Sequence, residues 1–249
     1  MKSLLVVESW IFKDYIDMAE NKNEFKHLKV VKEDELKGYV KTCFSAMKTI
    51  AHNMSLVTNT EDPDSSVLER NYVLTLVFEI GKQISKYNET SERLELYSSE
   101  LFVGGETNKF LNVNSDKVQK TCNDLEIVIK DSKFETIPDL VIHSSHDSEA
   151  GNTGEGQYLA LEAKTAKKLG KFAFMKDFFK LNAYLASLNY ENAIYLIVNS
   201  SAIQVESLIE EYIKNDYFLY EGSSKLLFFI QENKDVEPII YQFNKEERL

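Results

Sequence analysis

The stretch Thr136–Thr165, TIPDLVIHSSHDSEAGNTGEGQYLALEAKT, decides the fold class. Its two ends, Thr136–His143 (TIPDLVIH) and Gln157–Thr165 (QYLALEAKT), are runs of β-branched and apolar residues, and both read as strands. Between them Ser144–Gly156 carries Ser, Asn, Gly and acids with no apolar period, which predicts a surface loop. Residues two apart on a strand face the same way. Glu162 and Lys164 therefore share a face, expected to include Tyr158 and Ala160, while Leu159, Leu161 and Ala163 take the other. If the two strands pair, Asp139 stands beside Glu162. Two carboxylates and an ammonium then meet at the end of adjacent strands.

Outward from this stretch the pattern alternates between helix and strand. A long helix is expected over about Lys168–Leu188, then a buried strand at Asn192–Asn199 (NAIYLIVN), a helix at Ala202–Asn215, and strands at Leu226–Gln231 and Ile239–Phe243. Upstream, Leu94–Val103 and Leu125–Lys130 alternate and read as strands, the first ending at Gly104-Gly105. A helix is expected from Ser65 or Ser66, after the polar loop Thr58–Asp64, to about Lys86. Leu36, Tyr39, Val40, Cys43, Phe44 and Met47 give Lys32–Ile50 the spacing of an amphipathic helix. The order predicts an α/β fold with a mixed central sheet flanked by helices. Residues 1–60 are expected as an N-terminal helical extension and 61–249 as the main domain.

Composition narrows the class of function. The 249 residues carry 29 Lys+Arg against 40 Asp+Glu, a formal charge of −11, with 43% hydrophobic residues. This is a globular composition rather than a disordered one. An acidic chain does not coat nucleic acid by bulk attraction. The charge is uneven, however: residues 161–180 hold six lysines against Glu162 and Asp177. Lys167, Lys168 and Lys171, directly after the Glu/Lys strand, are candidate phosphate contacts. Phe172, Phe174, Phe178 and Phe179 in the same helix could stack bases but read as core. The 2 cysteines, Cys43 and Cys122, are too few for a disulfide scaffold or a zinc site and read as reduced core thiols. No apolar run is long enough for a secretory segment or a membrane span, so a cytoplasmic location and no membrane partner are expected.

Asp139, Glu162 and Lys164 suit phosphodiester hydrolysis. Adjacent carboxylates repel unless a cation lies between them. Mg²⁺ takes hard oxygen ligands and keeps several waters. A neighbouring ammonium can position or activate a water and stabilise charge on the phosphate. A third acid is sought on the upstream helix. Glu79, in the apolar run Val77–Ile80, is the first choice, because a carboxylate there is costly to bury without a cation or donor. Its alternative role is a pair with Lys82 or Lys86. Glu69 lies ten residues earlier on roughly the same helix face, and Glu100 at the end of an expected strand; both are alternatives.

Pro138-Asp139 followed by Glu162-Ala163-Lys164 resembles the signature of the PD-(D/E)XK nuclease superfamily. The likeness extends to Ile137–His143 and Leu159–Lys164 as the two site strands. It also takes in Asp177–Leu181 with Tyr184 as the helix that follows, and Ala193–Val198 as the next core strand. It covers about residues 136–200. Leu68–Ile84 matches the superfamily's first core helix more weakly, and residues 1–60 and 201–249 carry no resemblance. The resemblance implies a restriction endonuclease-like core and a Mg²⁺-dependent nuclease, with Mn²⁺ as a substitute metal. Asp139, Glu162 and Glu79 would bind the metal, and Lys164 would act on water. DNA is the expected substrate, in restriction, repair or phage defence. RNA on the same core, or a catalytically inactive module that binds nucleic acid or protein, are the alternatives. A homodimer or a partner protein is expected to help present the substrate.

Overall fold

The computed structural model describes residues 25–51, 66–88, 101–104, 108–144, 156–222, 225–233 and 235–245. The expected loops at 58–64 and 145–155, and Glu100, lie outside them. The described strands are β1 (Leu28–Val31), β2 (Leu101–Gly104), β3 (Lys109–Asn112), β4 (Ile129–Lys130), β5 (Lys133–Thr136), β6 (Leu140–Ser144), β7 (Gln157–Lys164), β8 (Asn192–Val198), β9 (Leu226–Gln231) and β10 (Ile239–Phe243). The α-helices are α1 (Gly38–Ala51), α2 (Ser66–Asn88), α3 (Asp116–Asp124), α4 (Lys171–Ser187) and α5 (Ala202–Lys214).

Seven strands form one mixed sheet in the order β1-β10-β9-β8-β7-β6-β2. β7, β8 and β9 run parallel, and the other neighbours are antiparallel. The parallel centre explains the composition of β8. Helices cover both of its faces, so NAIYLIV is buried along nearly its whole length rather than alternating. On one face α1 and α2 bury Val40, Phe44, Met47, Leu76 and Ile80 against Leu140, Leu161, Ile194 and Phe229. On the other α4 and α5 bury Phe174, Phe178, Leu181, Ile209 and Tyr212 against Ala160, Tyr195, Phe228 and Tyr241. Three of the four phenylalanines of α4 thus belong to this core, and Phe172 alone among them is exposed. Cys43 and Cys122 are buried and free in opposite layers. Burial pushes their thiols up to about 12 and about 11, where the reactive thiolate is scarce.

Three sequence expectations change. The N-terminal region is not a helical extension over 28–51: β1 pairs with β10, and α1 packs on α2 in a shared core. β1 is short and on the sheet edge, so its residues carry little strand pattern of their own. The strand expected over 136–143 is two strands in two sheets. β5 belongs to a three-stranded sheet, β3-β5-β4, and β6 to the large one. Pro138 lies in the break; it has no N–H to give a ladder, so the chain can leave one sheet and enter the other there. Finally Leu125–Lys130 is mostly not a strand. Leu125 caps α3, Glu126 has φ 52°, and only Ile129–Lys130 pairs. α3 itself, capped by Ser115 accepting the Val118 N–H, escapes the apolar pattern because only one of its faces is buried.

Candidate functional site

Leu140 pairs with Leu161 in the antiparallel β6/β7 ladder, which brings Asp139 beside Glu162 where β6 begins. The Ala163 N–H donates to Asp139 Oδ2 at 2.8 Å and holds that carboxylate at the sheet end. At the other end of the ladder the register slips: Ile142 faces Leu159, and His143 faces Gln157. Tyr158 is the extra residue. The bulge turns it out of the expected alternation, and its ring lies against Tyr39 on the α1 side.

Glu162 is 1% exposed. The Tyr184 hydroxyl of α4 donates to its Oε1 at 2.9 Å. Since that proton is committed, Thr136 Oγ1 at 2.7 Å donates to Tyr184 in turn. Lys180 Nζ stands 3.6 Å from Glu162 Oε2 and 2.8 Å from Asp177 Oδ1. Lys164 Nζ stands 3.0 Å from Asp177 Oδ2 and 3.0 Å from Glu69 Oε1, and donates to the Ala163 carbonyl. Each ammonium thus bridges two carboxylates.

Burial shapes the electrostatics. It pushes the Glu162 carboxyl well above the usual range, and the negative Asp177 adds to this, with Lys180 opposing. Burial also raises Asp139, against the Ala163 N–H and Lys164, and raises Glu69, against Lys164. Burial pulls Lys164 down, but the charges of Asp177 and Glu69 outweigh it and hold the ammonium above its ordinary value. Lys180 is held up in the same way by Glu162 and Asp177. Fully ionised, Glu69, Asp139, Glu162 and Asp177 against Lys164 and Lys180 leave two negative charges in excess. Tyr195, paired across from Glu162 in β8, has a buried hydroxyl with no hydrogen-bond partner among the described residues, and the charges of all four carboxylates act on it.

The chemistry of this set fits a hard divalent cation: carboxylate oxygens, two negative charges in excess when all four acids are ionised, and an orphaned buried hydroxyl. As they stand, Glu69, Asp177 and Glu162 are drawn onto the two ammonium groups, and Asp139 onto the Ala163 N–H. Among the described residues no three His, Cys, Asp or Glu side chains gather to hold a metal ion.

Asp139, Glu162 and Lys164 come together as the sequence predicts. Glu79 does not join them. Its Oε1 accepts from Lys82 at 2.9 Å, and it lies ten residues, about 15 Å of helix, beyond Glu69. Glu69, in the first turn of α2, is the acid that the helix delivers. The apolar neighbours of Glu79 predict burial, and its side chain is only 17% exposed, but the partner that satisfies it is Lys82 on its own helix rather than the site. Asp177 and Lys180 are site residues that composition hid, since both read as ordinary charges on a helix surface. Their signal was spacing: Asp177, Lys180 and Tyr184 lie three and four apart and so share one face. Of the candidate phosphate contacts, Lys171 is engaged by Glu211 of α5, while Lys167 and Lys168 are exposed in the β7–α4 connection. No helix among the described residues is long and apolar enough to cross a membrane. Protein-family models, curated proteins and solved structures were compared with the chain, and none matches it.

Proposed function

We propose that the protein is a metal-dependent nuclease with a restriction endonuclease-like core, hydrolysing phosphodiester bonds of DNA. The observation that carries this reading is the meeting of Asp139, Glu162 and Lys164 at the end of β6 and β7, inside a cluster with excess negative charge. Asp139 and Glu162 would hold Mg²⁺, with Mn²⁺ as a substitute, and Glu69 takes the role expected of Glu79. A bound divalent ion supplies a Lewis acid for the phosphate and acidifies its water.

The chain's own groups do the rest. Lys164 is held in its charged form by Asp177 and Glu69, so it acts as a donor that orients water and offsets charge building on the phosphate, not as a base. Tyr184 and Thr136 fix the Glu162 carboxylate through a two-step hydrogen-bond chain. The water oxygen bonds to phosphorus and gives up a proton to solvent, the bond from phosphorus to one sugar oxygen breaks, and that oxygen takes a proton from solvent. Single- and double-stranded DNA, and RNA for comparison, should be incubated with Mg²⁺, Mn²⁺ or EDTA. Metal-dependent cleavage of DNA that is lost in Lys164→Ala supports the reading. No cleavage of any DNA with either metal sinks it, and preference for RNA replaces the substrate.

A second reading, a catalytically inactive nuclease-like module, is favoured by one fact: Lys164 and Lys180 already pair with Glu69, Asp177 and Glu162. Titration calorimetry with Mn²⁺ separates the two, because an inactive module would bind the ion no better than its Asp139→Ala variant.

A further inference from the structure

A groove of about 900 Å³ opens beside the small β3-β5-β4 sheet and shares Lys180 with the carboxylate–lysine cluster. Thr136 and Lys180 line it, and these two residues also contact Tyr184 and Glu162 of the site. We propose that this groove binds an unpaired DNA strand and leads it to the cluster. The proposal rests on the nuclease reading for its choice of DNA, but the binding stands on the groove's own features.

The first feature is an unfavourable charge pair. Lys130 and Lys133 are directly opposed across the β4–β5 ladder, both exposed, and the turn between them is two residues long. Asp131 and Ser132 in that turn have φ 52° and 58°, the left-handed values of a tight primed hairpin. The turn therefore fixes the register and keeps the two lysines face to face. Like charges directly opposite cost stability, and a phosphate between them relieves that cost. Lys176 of α4 lines the same groove.

The second feature is apolar. Phe110, Val128 and Ile137 line the groove with 60%, 81% and 50% of their surface exposed. Three such side chains in one groove that also holds lysines offer stacking faces for bases beside contacts for phosphates. A duplex keeps its bases paired and stacked inside, so it would cover the lysines and leave these apolar faces in water. Glu126, Asp131 and Glu135 also line the groove, so attraction is confined to the lysine positions and stacking must add to it.

The test is fluorescence anisotropy of the whole protein with labelled oligo(dT), a hairpin duplex of equal length and oligo(U), in Ca²⁺ to separate binding from cleavage. Oligo(dT) should bind at least tenfold tighter than the hairpin. Phe110→Ala should weaken it by about tenfold. Lys133→Glu should make the fall of log K with log salt shallower by about 0.7 for each phosphate that the variant no longer neutralises. Phe110 and Lys133 are exposed, so Phe110→Ala should keep the wild-type thermal transition, and Lys133→Glu, which replaces a repulsive pair with an attractive one, should not lower it. Equal or tighter binding of the duplex, binding only of oligo(U), or full affinity in both variants overturns the groove. Metal-dependent cleavage together with any of those results leaves the nuclease reading intact. Groove-dependent oligo(dT) binding without cleavage supports the groove and removes the nuclease.

Discussion

Glu69 in the first turn of α2 and Lys164 at the end of β7 meet at 3.0 Å. α2 covers one face of the sheet, whereas Asp177, the other carboxylate on Lys164, comes from α4 on the opposite face. One ammonium therefore ties both helical layers together at the sheet end. Removing it should cost activity and stability at once. Lys164→Ala is expected to lower cleavage by at least about 100-fold and to destabilise by about 1–3 kcal/mol, since it strands two carboxylates that are partly desolvated. Urea unfolding measures the second effect. Glu69→Gln should lose activity with a smaller stability change, whereas Glu79→Gln should cleave like the wild type.

The excess negative charge predicts that divalent ions stabilise the folded state. Mg²⁺ at a hundred times its dissociation constant should add about 2.7 kcal/mol, read as a rise in the thermal midpoint that EDTA reverses. Asp139→Asn should abolish most of the rise. An unchanged midpoint in saturating Mg²⁺ or Mn²⁺ would argue for the inactive module.

Tyr184 gives a sharper test of the hydrogen-bond chain. In Tyr184→Phe the Glu162 carboxylate keeps its burial but loses a donor, and the cost is expected at about 1–3 kcal/mol. Metal affinity should fall as well, by about tenfold or more. Thr136→Val removes the outer link only and should do less on both measures. If Tyr184→Phe matches the wild type in metal affinity, the chain has no role in holding Glu162.

A separate carboxylate governs part of the pH dependence. Glu206 of α5 is buried, and burial raises its carboxyl above the usual range although the His27 N–H donates to Oε1 at 2.8 Å. The folded state then holds this proton more tightly than the unfolded chain does. The Glu206 contribution is most favourable below its ordinary value of 4.5 and declines as pH rises through the raised folded value. Glu206→Gln keeps an acceptor for His27 and removes the titration. Its stability relative to wild type should rise from about pH 4 to about pH 7 in urea denaturation, and a pH-independent difference would contradict this.

The residues that sequence reading located are those whose neighbours in the chain already encode their environment. Gln157–Lys164 announces a strand, and Glu162 inside it can only be a buried acid, so its pairing with Asp139 follows from one ladder. β9 and β10, both apolar runs between helix and turn signals, fall where the pattern puts them. Asp177 and Lys180 become site residues only because α4 lies across β7; their spacing with Tyr184 puts them on one helix face, but nothing local says that this face meets the sheet end. Glu69 and Glu79 are separated by helix position rather than by residue type, and the choice between them needs the packing angle of α2. β1 is a strand because β10 offers it a ladder, a fact held some two hundred residues away.

That last pairing also bears on how the molecule comes into being. β1 leaves the ribosome early, yet its neighbour in the sheet, β10, is made at the far end of the described chain. Until then β1 has no β10 to pair with, and closing so long a loop carries a large entropic cost before any ladder bond forms. The carboxylate–lysine cluster, complete once α2 and α4 have docked on the sheet, can therefore assemble before this edge closes. The rim formed by β1 and β10 is where folding should finish and where heat should first undo it.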